Sequence, residues 1–347
     1  MTSVILALAP VLLFLVALVL MDSFKLVQRR AVTGALGWGG AAAILILAMD
    51  NWIAKGIQIS PEGFTRYVAP AIEETIKGAF IIFVIARRRV GFLVDAAILG
   101  FAVGTGFALV ENLVYLSALG STAPLLLWAV RGLGTAILHG ATTAVLAVIA
   151  KRAADFHPER FALAWLPAWV VAFSIHSAFN HVLLPPVAQT LLLLLALPIV
   201  VVFVFHISER STREWVGAGL DLDVALLELV ESKHFERTRF GVYLNQLRSR
   251  FPGPVVADMF CLLRIELQLS VRAKALLMAR TAGLELPADE DLDACLAERV
   301  YLLRSIGTTG RLALKPLRVT SGRDAWHRHL LGRSRRHIHL PGTHPLR

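Results

Sequence analysis

The sequence has few charged residues and few cysteines, and both shortages narrow the class of protein. Only 17% of its 347 residues are Asp, Glu, Lys or Arg, whereas 56% are hydrophobic. This composition excludes an ordinary soluble domain and indicates several membrane spans. Both cysteines, Cys261 and Cys295, follow the apolar part of the chain. No disulfide framework is therefore predicted, and a reducing cytosol is the natural setting for that region.

The common signatures of soluble enzymes are also missing. The chain contains no His-Glu-x-x-His zinc motif, no Gly-x-Ser-x-Gly nucleophile elbow and no Gly-x-x-x-x-Gly-Lys phosphate loop. These motifs carry their chemistry within one short segment. Any catalysis by this chain must therefore come from residues that are distant in sequence and meet on folding.

Seven apolar stretches reach or approach the length of about 20 residues that a helix needs to cross a bilayer. They are residues 4–21, 34–53, 67–86, 91–119, 125–150, 161–184 and 187–206. The predicted fold class is therefore all-α: a polytopic membrane helix bundle of about seven spans with a C-terminal helical region.

Basic residues accumulate after alternate apolar stretches. Clusters of Lys or Arg follow the first, third, fifth and seventh stretches. Because basic loops remain in the cytoplasm, this bias predicts an inner or plasma membrane protein with its N-terminus outside and its C-terminus inside. The first stretch has no preceding Lys or Arg and no Ala-x-Ala site after it. It is therefore predicted to be a retained span and not a signal peptide.

Three regions are expected along the chain. Residues 1–207 form the transmembrane catalytic bundle, with a net charge of +4 from 13 basic and 9 acidic residues. Residues 208–320 carry helix-period apolar residues and predict a cytosolic helical domain. Residues 321–347 predict a basic, His-rich, disordered tail. Residues 208–347 have 22 basic and 16 acidic side chains, and anionic lipid explains this excess without a nucleic-acid partner.

Three glutamates and two histidines stand out among the ionisable side chains within the apolar stretches. Glu73 and Glu74 lie about 12 Å below the outer end of the third stretch, and Glu111 and His176 come out at a similar depth in two others. His139 comes out nearer the middle of the bilayer. Such residues usually face a protein interior or a water-filled cavity. We therefore expect four helices to present these side chains to one layer in the outer half of the membrane, the alternative being helix ends whose carboxylates reach the interface.

Polar residues beside this set are expected to assist it. Lys77 lies about one helical turn after the paired glutamates and compensates their charge. Asn180 lies one turn after His176 on the same helix face, and it joins the catalytic set. Asn112 and Arg131 complete the supporting residues.

Carboxylates and imidazoles in a low-dielectric bundle suit the hydrolysis of a peptide bond. A buried Glu beside a second carboxylate can act as general base on a trapped water. A His can stabilise the oxyanion or protonate the leaving amine. Glu111, His139 and His176 equally suit a three-ligand zinc site with an open position for water. The glutamate mechanism and the metal mechanism both remain open at this point.

The order and spacing of these residues resemble the motifs of the PrsW-type intramembrane proteases, which are similar to the wider group of CAAX prenyl endopeptidases. The resemblance covers residues 66–184. It rests on Glu73-Glu74-x-x-Lys77, Gly106-Phe107-Ala108-x-x-Glu111-Asn112-x-x-Tyr115, His139 and His176-x-x-x-Asn180.

The resemblance implies an intramembrane endopeptidase that cuts membrane-anchored proteins, such as anti-sigma factors, near the extracytoplasmic face. It maps the paired glutamates of the family to Glu73 and Glu74, the carboxylate of the second motif to Glu111, and the histidines to His139 and His176. The region after residue 208 lies outside the resemblance, so its role is left open.

Two other functions stay open from the residues alone. A transporter or proton relay also needs intramembrane Glu and His, although the sequence shows neither broken-helix pairs nor a two-fold repeat. A non-catalytic scaffold would use the buried charges only to fix helix packing. It would bind its partner through the region after residue 208.

Overall fold

The structure, a computed structural model, divides the chain into two compact units, Met1–Glu209 and Arg210–Arg347. Every regular element in the described ranges is helical, which confirms the predicted all-α class. Of the predicted disordered tail, 321–347, all but residue 331 lies outside the described residues. The structure describes residues 1–22, 27–57, 59–87, 89–120, 123–156, 161–284, 289, 291–317 and 331.

The first unit contains the predicted spans. Its helices are α1 (Thr2–Met21), α2 (Arg29–Ile57), α3 (Pro61–Gly63), α4 (Ala69–Ala86), α5 (Leu93–Leu119), α6 (Leu125–Val130), α7 (Ala136–Phe156), α8 (Phe161–Asn180) and the first half of α9 (Pro186–Glu231). Two π-helical turns continue directly into the next helix. Phe64–Val68 joins α3 to α4, and Arg131–Thr135 joins α6 to α7.

Five helical stretches in the described part of the chain are long and apolar enough to cross a membrane. They are Thr2–Met21, Arg29–Met49, Leu93–Leu119, Leu125–Phe156 and Pro186–Glu231. The predicted count of about seven spans is not confirmed. α4 carries three charged side chains, those of Glu73, Glu74 and Lys77. α8 is not among the five either, and the side chains of its first turn lie outside the described residues.

Glycines in α5 allow the helices that carry the ionisable residues to approach closely. A side chain at Gly104 would collide with the backbone of His139 on α7, and one at Gly106 would collide with the backbone of Leu36 on α2. α5 is accordingly buried along most of its length. This small-residue packing brings α7 near enough for His139 to reach Glu111.

The second unit contains the end of α9 and four more helices. They are α10 (Arg239–Leu247), α11 (Gly253–Thr281), α12 (Leu292–Ser305) and α13 (Gly307–Leu314). Leu263 and Leu267 of α11 pack against Val230 of α9 in its apolar core. The cytosolic location and the role of this unit stay predictions.

Candidate functional site

α4 places the paired glutamates in two different environments. Successive residues of a helix point about 100° apart, so Glu73 and Glu74 cannot share one set of neighbours. The Glu74 side chain is 0% exposed, whereas that of Glu73 is 14% exposed and lines a cavity. The sequence alone does not distinguish these two roles.

One carboxylate oxygen of Glu74 gathers three contacts from three helices. Its Oε1 accepts hydrogen bonds from Lys77 Nζ at 2.6 Å and from Thr142 Oγ1 at 3.0 Å, and it lies 2.8 Å from His176 Nδ1. Its Oε2 is buried and has no hydrogen-bond partner among the described residues. Glu74 thus joins α4, α7 and α8 and orients the His176 ring. Lys77 pairs with Glu74, three residues earlier in the same helix, and so compensates the charge of the buried member of the two glutamates.

Glu73 lies between the two imidazoles. Its Oε2 is 3.7 Å from His139 Nδ1 and 3.8 Å from His176 Nε2. The two rings meet edge to face, with their centroids 5.0 Å apart. One ligand atom from each of these three residues lies within 4.8 Å of the other two.

The His139 ring is held through both of its nitrogens. Nε2 lies 2.9 Å from Glu111 Oε2, and Nδ1 lies 3.2 Å from Lys77 Nζ. The ring also contacts the Phe107 ring, at a centroid distance of 4.9 Å. Contacts at both ring nitrogens and with two neighbouring rings therefore restrict the orientation of this imidazole.

Arg131 connects Glu111 to the supporting residues. Its Nη2 lies 3.1 Å from Glu111 Oε1, and its Nε donates to Asn112 Oδ1 at 3.0 Å. The guanidinium carbon lies 3.5 Å from the centroid of the Tyr115 ring. A planar, forked cation suits such a position, because it can hydrogen bond and stack at once.

Asn180 occupies a different position from the histidines. It lines the cavity, and its Nδ2 donates to the backbone carbonyl of Thr65 at 3.0 Å. Ser177 Oγ likewise donates to the Arg66 carbonyl at 2.6 Å. The end of α8 therefore holds the π-helical turn Phe64–Val68, and the observed contact of Asn180 is with that turn.

The cavity has a volume of about 380 Å³. Glu73, Glu111, His139 and His176 lie in its wall. The five carboxylate and imidazole residues predicted from four helices thus meet at one place, with Glu74 directly behind the wall. Counting the histidines as neutral, three carboxylates and the cations Lys77 and Arg131 give a local charge of −1.

The set that lies close enough to hold one ion differs from the predicted one. The prediction named Glu111 beside His139 and His176, whereas the close set contains Glu73 and the same two histidines. Glu111 instead contacts His139 Nε2, the ring nitrogen that does not face Glu73. Its role as a ligand stays a prediction.

Two contributors to this site have no clear signal in the sequence. Thr142 donates to Glu74 from α7, and its only sequence cue is its place one turn after His139. The Ala7 carbonyl of α1 accepts a hydrogen bond from Asn112 Nδ2 at 2.7 Å. A backbone acceptor on a distant helix leaves no pattern in the side chains.

One of three comparisons with known proteins gives a match, and that match is to a protein family. The comparisons with curated proteins and with solved structures give no match. Residues 27–207 match the PrsW family intramembrane metalloprotease. This match spans more than half of the sequence and includes all the residues in the cavity wall, and the chain therefore belongs to the PrsW family of intramembrane metalloproteases.

Proposed function

We propose that the protein hydrolyses peptide bonds of membrane-anchored proteins at a zinc ion held by Glu73, His139 and His176. The observation that carries the proposal is the meeting of one carboxylate and two imidazoles within 4.8 Å at the wall of a cavity. Two imidazoles and a carboxylate are a common ligand set of catalytic zinc, with a fourth position left for water.

The surroundings of the three residues fit a metal ion. Metal-binding histidines usually direct their other ring nitrogen to a carboxylate. His139 has Glu111 in this position and His176 has Glu74. The local charge of −1 favours a cation, and imidazole ligands suit zinc better than magnesium or calcium.

The protein's own residues prepare the site for the reaction. Glu74 and Glu111 fix the two rings, and Thr142 fixes Glu74. Lys77 Nζ lies 3.2 Å from His139 Nδ1 and 2.6 Å from Glu74 Oε1, so a metal ion on Nδ1 would require this ammonium to leave His139 and keep its contact with Glu74. Bound zinc supplies a Lewis acid for the attacking water and for the scissile carbonyl.

The cavity supports a substrate with an apolar side chain beside the cut bond. α2 contributes Ala43, Ile46 and Leu47 to the lining of the same cavity, and Phe179 of α8 and Val182 just after α8 add further apolar side chains. A pocket with an apolar wall and a few polar groups binds by burying apolar surface while the polar groups fix orientation. A single-span membrane protein, such as an anti-sigma factor, provides such a segment.

The cut is expected near the extracytoplasmic face. The alternation of basic clusters supports an outside N-terminus and a cytoplasmic C-terminus. In that topology α4 begins on the outer side, and Glu73 is in the second turn of α4. The carboxylate therefore lies near the outer end of its helix, where site-1 cleavage of an anti-sigma factor would occur.

Metal analysis of the purified protein tests this proposal. We expect about one zinc ion per chain, loss of cleavage of a co-expressed single-span substrate in chelator, and recovery on adding zinc. His139→Ala should lose both zinc and cleavage. His206→Ala, which changes an exposed histidine on α9, is the matched control and should lose neither. Full cleavage by metal-free protein would overturn the zinc site. Glu73 would then be assigned as the general base that activates the attacking water.

A further inference from the structure

The first helix contacts the catalytic residues through a chain of buried polar groups. Asn112 of α5 is 1% exposed, and its Nδ2 donates to the Ala7 carbonyl of α1 at 2.7 Å. Its Oδ1 accepts from Arg131 Nε at 3.0 Å. The side-chain amide of Asn112 thus donates a hydrogen bond to α1 and accepts one from the arginine that contacts Glu111.

Pro10 makes α1 suited to this contact. Proline has no backbone N–H, so the carbonyl four residues earlier, that of Leu6, lacks the usual hydrogen bond from the residue four positions ahead. This carbonyl faces Gly132, where a side chain would collide with it. The helix therefore meets the π-helical turn through backbone at the place where Pro10 loosens its own hydrogen bonding.

Gly132 directly follows Arg131 in the π-helical turn Arg131–Thr135. The close approach of α1 fixes the backbone of this turn, and Asn112 fixes the guanidinium that leaves it. Arg131 then holds Glu111 Oε1 at 3.1 Å, while Glu111 Oε2 lies 2.9 Å from His139 Nε2. The contacts run without a gap from α1 to the imidazole.

We propose that α1 is a positioning element of the catalytic site: it holds Arg131 through Asn112 and Gly132, and Arg131 holds Glu111 against His139. The proposal rests on the catalytic role proposed above for His139. α1 precedes the residues matched by the family, 27–207, so this contribution comes from outside the matched region. Asn112 and Arg131 are positioning residues in this proposal, because they act on His139 through Glu111.

Two substitutions separate the contribution of α1 from that of Arg131. Asn112→Asp keeps an acceptor for Arg131 but removes the donor to Ala7. Gly132→Ala leaves Asn112 intact and displaces α1 from the turn. Gly37→Ala is the control, because a side chain at this helical glycine of α2 meets open space.

Each variant is reconstituted in liposomes with a labelled single-span substrate that the wild-type protein cleaves, and zinc affinity and thermal unfolding are measured in parallel. We expect Asn112→Asp and Gly132→Ala each to lower kcat and zinc affinity about 10- to 100-fold. This is the usual loss when a residue that hydrogen bonds to a metal ligand is removed or displaced. KM should change little, because the cavity wall keeps its residues. Gly37→Ala should match the wild type.

Several results would overturn the proposal. Wild-type kcat and zinc affinity in both folded variants would remove α1 from the site, and a loss in Gly132→Ala alone would remove the path through Asn112. If Asn112→Asp does not fold, Arg131→Lys replaces it, because lysine keeps the charge but not the fork that reaches Asn112. If the proposed zinc site is wrong, the wild-type protein binds no zinc. The role of α1 is then tested by kcat alone, which should be lower in Asn112→Asp and Gly132→Ala than in the wild type and Gly37→Ala.

Discussion

Both units of the molecule bury ion pairs, but they use them differently. In the first unit, Glu74 and Lys77 are 0% exposed and lie behind a cavity wall that carries two histidines and two further carboxylates. In the second unit, Arg299 Nε lies 2.6 Å from Glu266 Oε1 and simply joins α12 to α11. Burial of charge therefore does not identify a site by itself, since structural pairs are buried too.

Convergence on one cavity is what separates the two cases. The Lys274–Asp223 pair of the second unit, at 2.6 Å, also links two helices, α11 and α9. Each of these pairs connects two helices at one point, and Lys274 adds a hydrogen bond to the Gly219 carbonyl of α9. The charges beside the cavity of the first unit instead share partners, so that Glu74 alone connects three helices. Shared partners hold side chains in one geometry, which catalysis requires.

The largest predicted effect tests this contrast directly. Glu73→Gln should lower kcat by at least about 10²-fold, because it removes the carboxylate from the cavity wall. Glu266→Gln should leave kcat and zinc content unchanged, but lower the stability of the second unit by about 3 kcal/mol, because Arg299 keeps a buried charge. Steady-state cleavage and thermal unfolding measure the two effects.

Two exposed glutamates provide matched controls for these changes. Glu62→Gln on α3 and Glu228→Gln on α9 make the same chemical change at exposed positions and should alter neither measurement. If Glu266→Gln abolished zinc binding, or Glu73→Gln preserved cleavage, the distinction between a structural pair and a catalytic cluster would fail.

The next effect concerns the pair behind the cavity wall. Glu74→Gln should weaken zinc binding and kcat about 10- to 100-fold, because His176 loses its charged partner. It should also destabilise the protein by about 3 kcal/mol, because Lys77 is left charged and buried. Adding Lys77→Met removes that charge, so we expect the double variant to regain stability but not cleavage.

Recovery of both properties in the double variant would contradict this assignment. Glu74 and Lys77 would then be a structural pair of the same kind as Glu266 and Arg299. Measuring unfolding midpoints and kcat on the same preparations distinguishes the two outcomes, since only a positioning role leaves kcat low when stability returns.

The sequence predicts which residues belong to the site better than it predicts what each does. Intramembrane charge has few explanations, so Glu73, Glu74, Glu111, His139 and His176 stand out without a structure. Which of these residues line the cavity and which lie behind it depends on the rotation of each helix about its axis. The sequence does not reveal this rotation for adjacent residues such as Glu73 and Glu74.

The same limits apply to the fold. Hydropathy finds the helices, but the three charges of α4 that make the site also remove that helix from the apolar spans. The contact of Asn112 with the Ala7 carbonyl depends on a backbone acceptor. Backbone groups are identical at every residue, so only packing shows which of them a buried amide will meet.

The smallest predicted effect tests how finely the cluster is tuned. Thr142→Val keeps the shape of the side chain and removes one of the three contacts on Glu74 Oε1. A hydrogen bond to a charged group contributes about 1.5 to 3 kcal/mol to the free energy of unfolding. Because Lys77 and His176 remain on the same oxygen, we expect a loss of stability in the lower part of this range and a kcat reduced several-fold. Thr105→Val is the control, because within the described part of the chain this equally buried hydroxyl bonds only to the Phe101 carbonyl of its own helix. Equal losses in the two variants would show that any buried hydroxyl in the bundle matters as much as the one on Glu74, and the cluster would then differ from the ion pairs of the second unit in location alone.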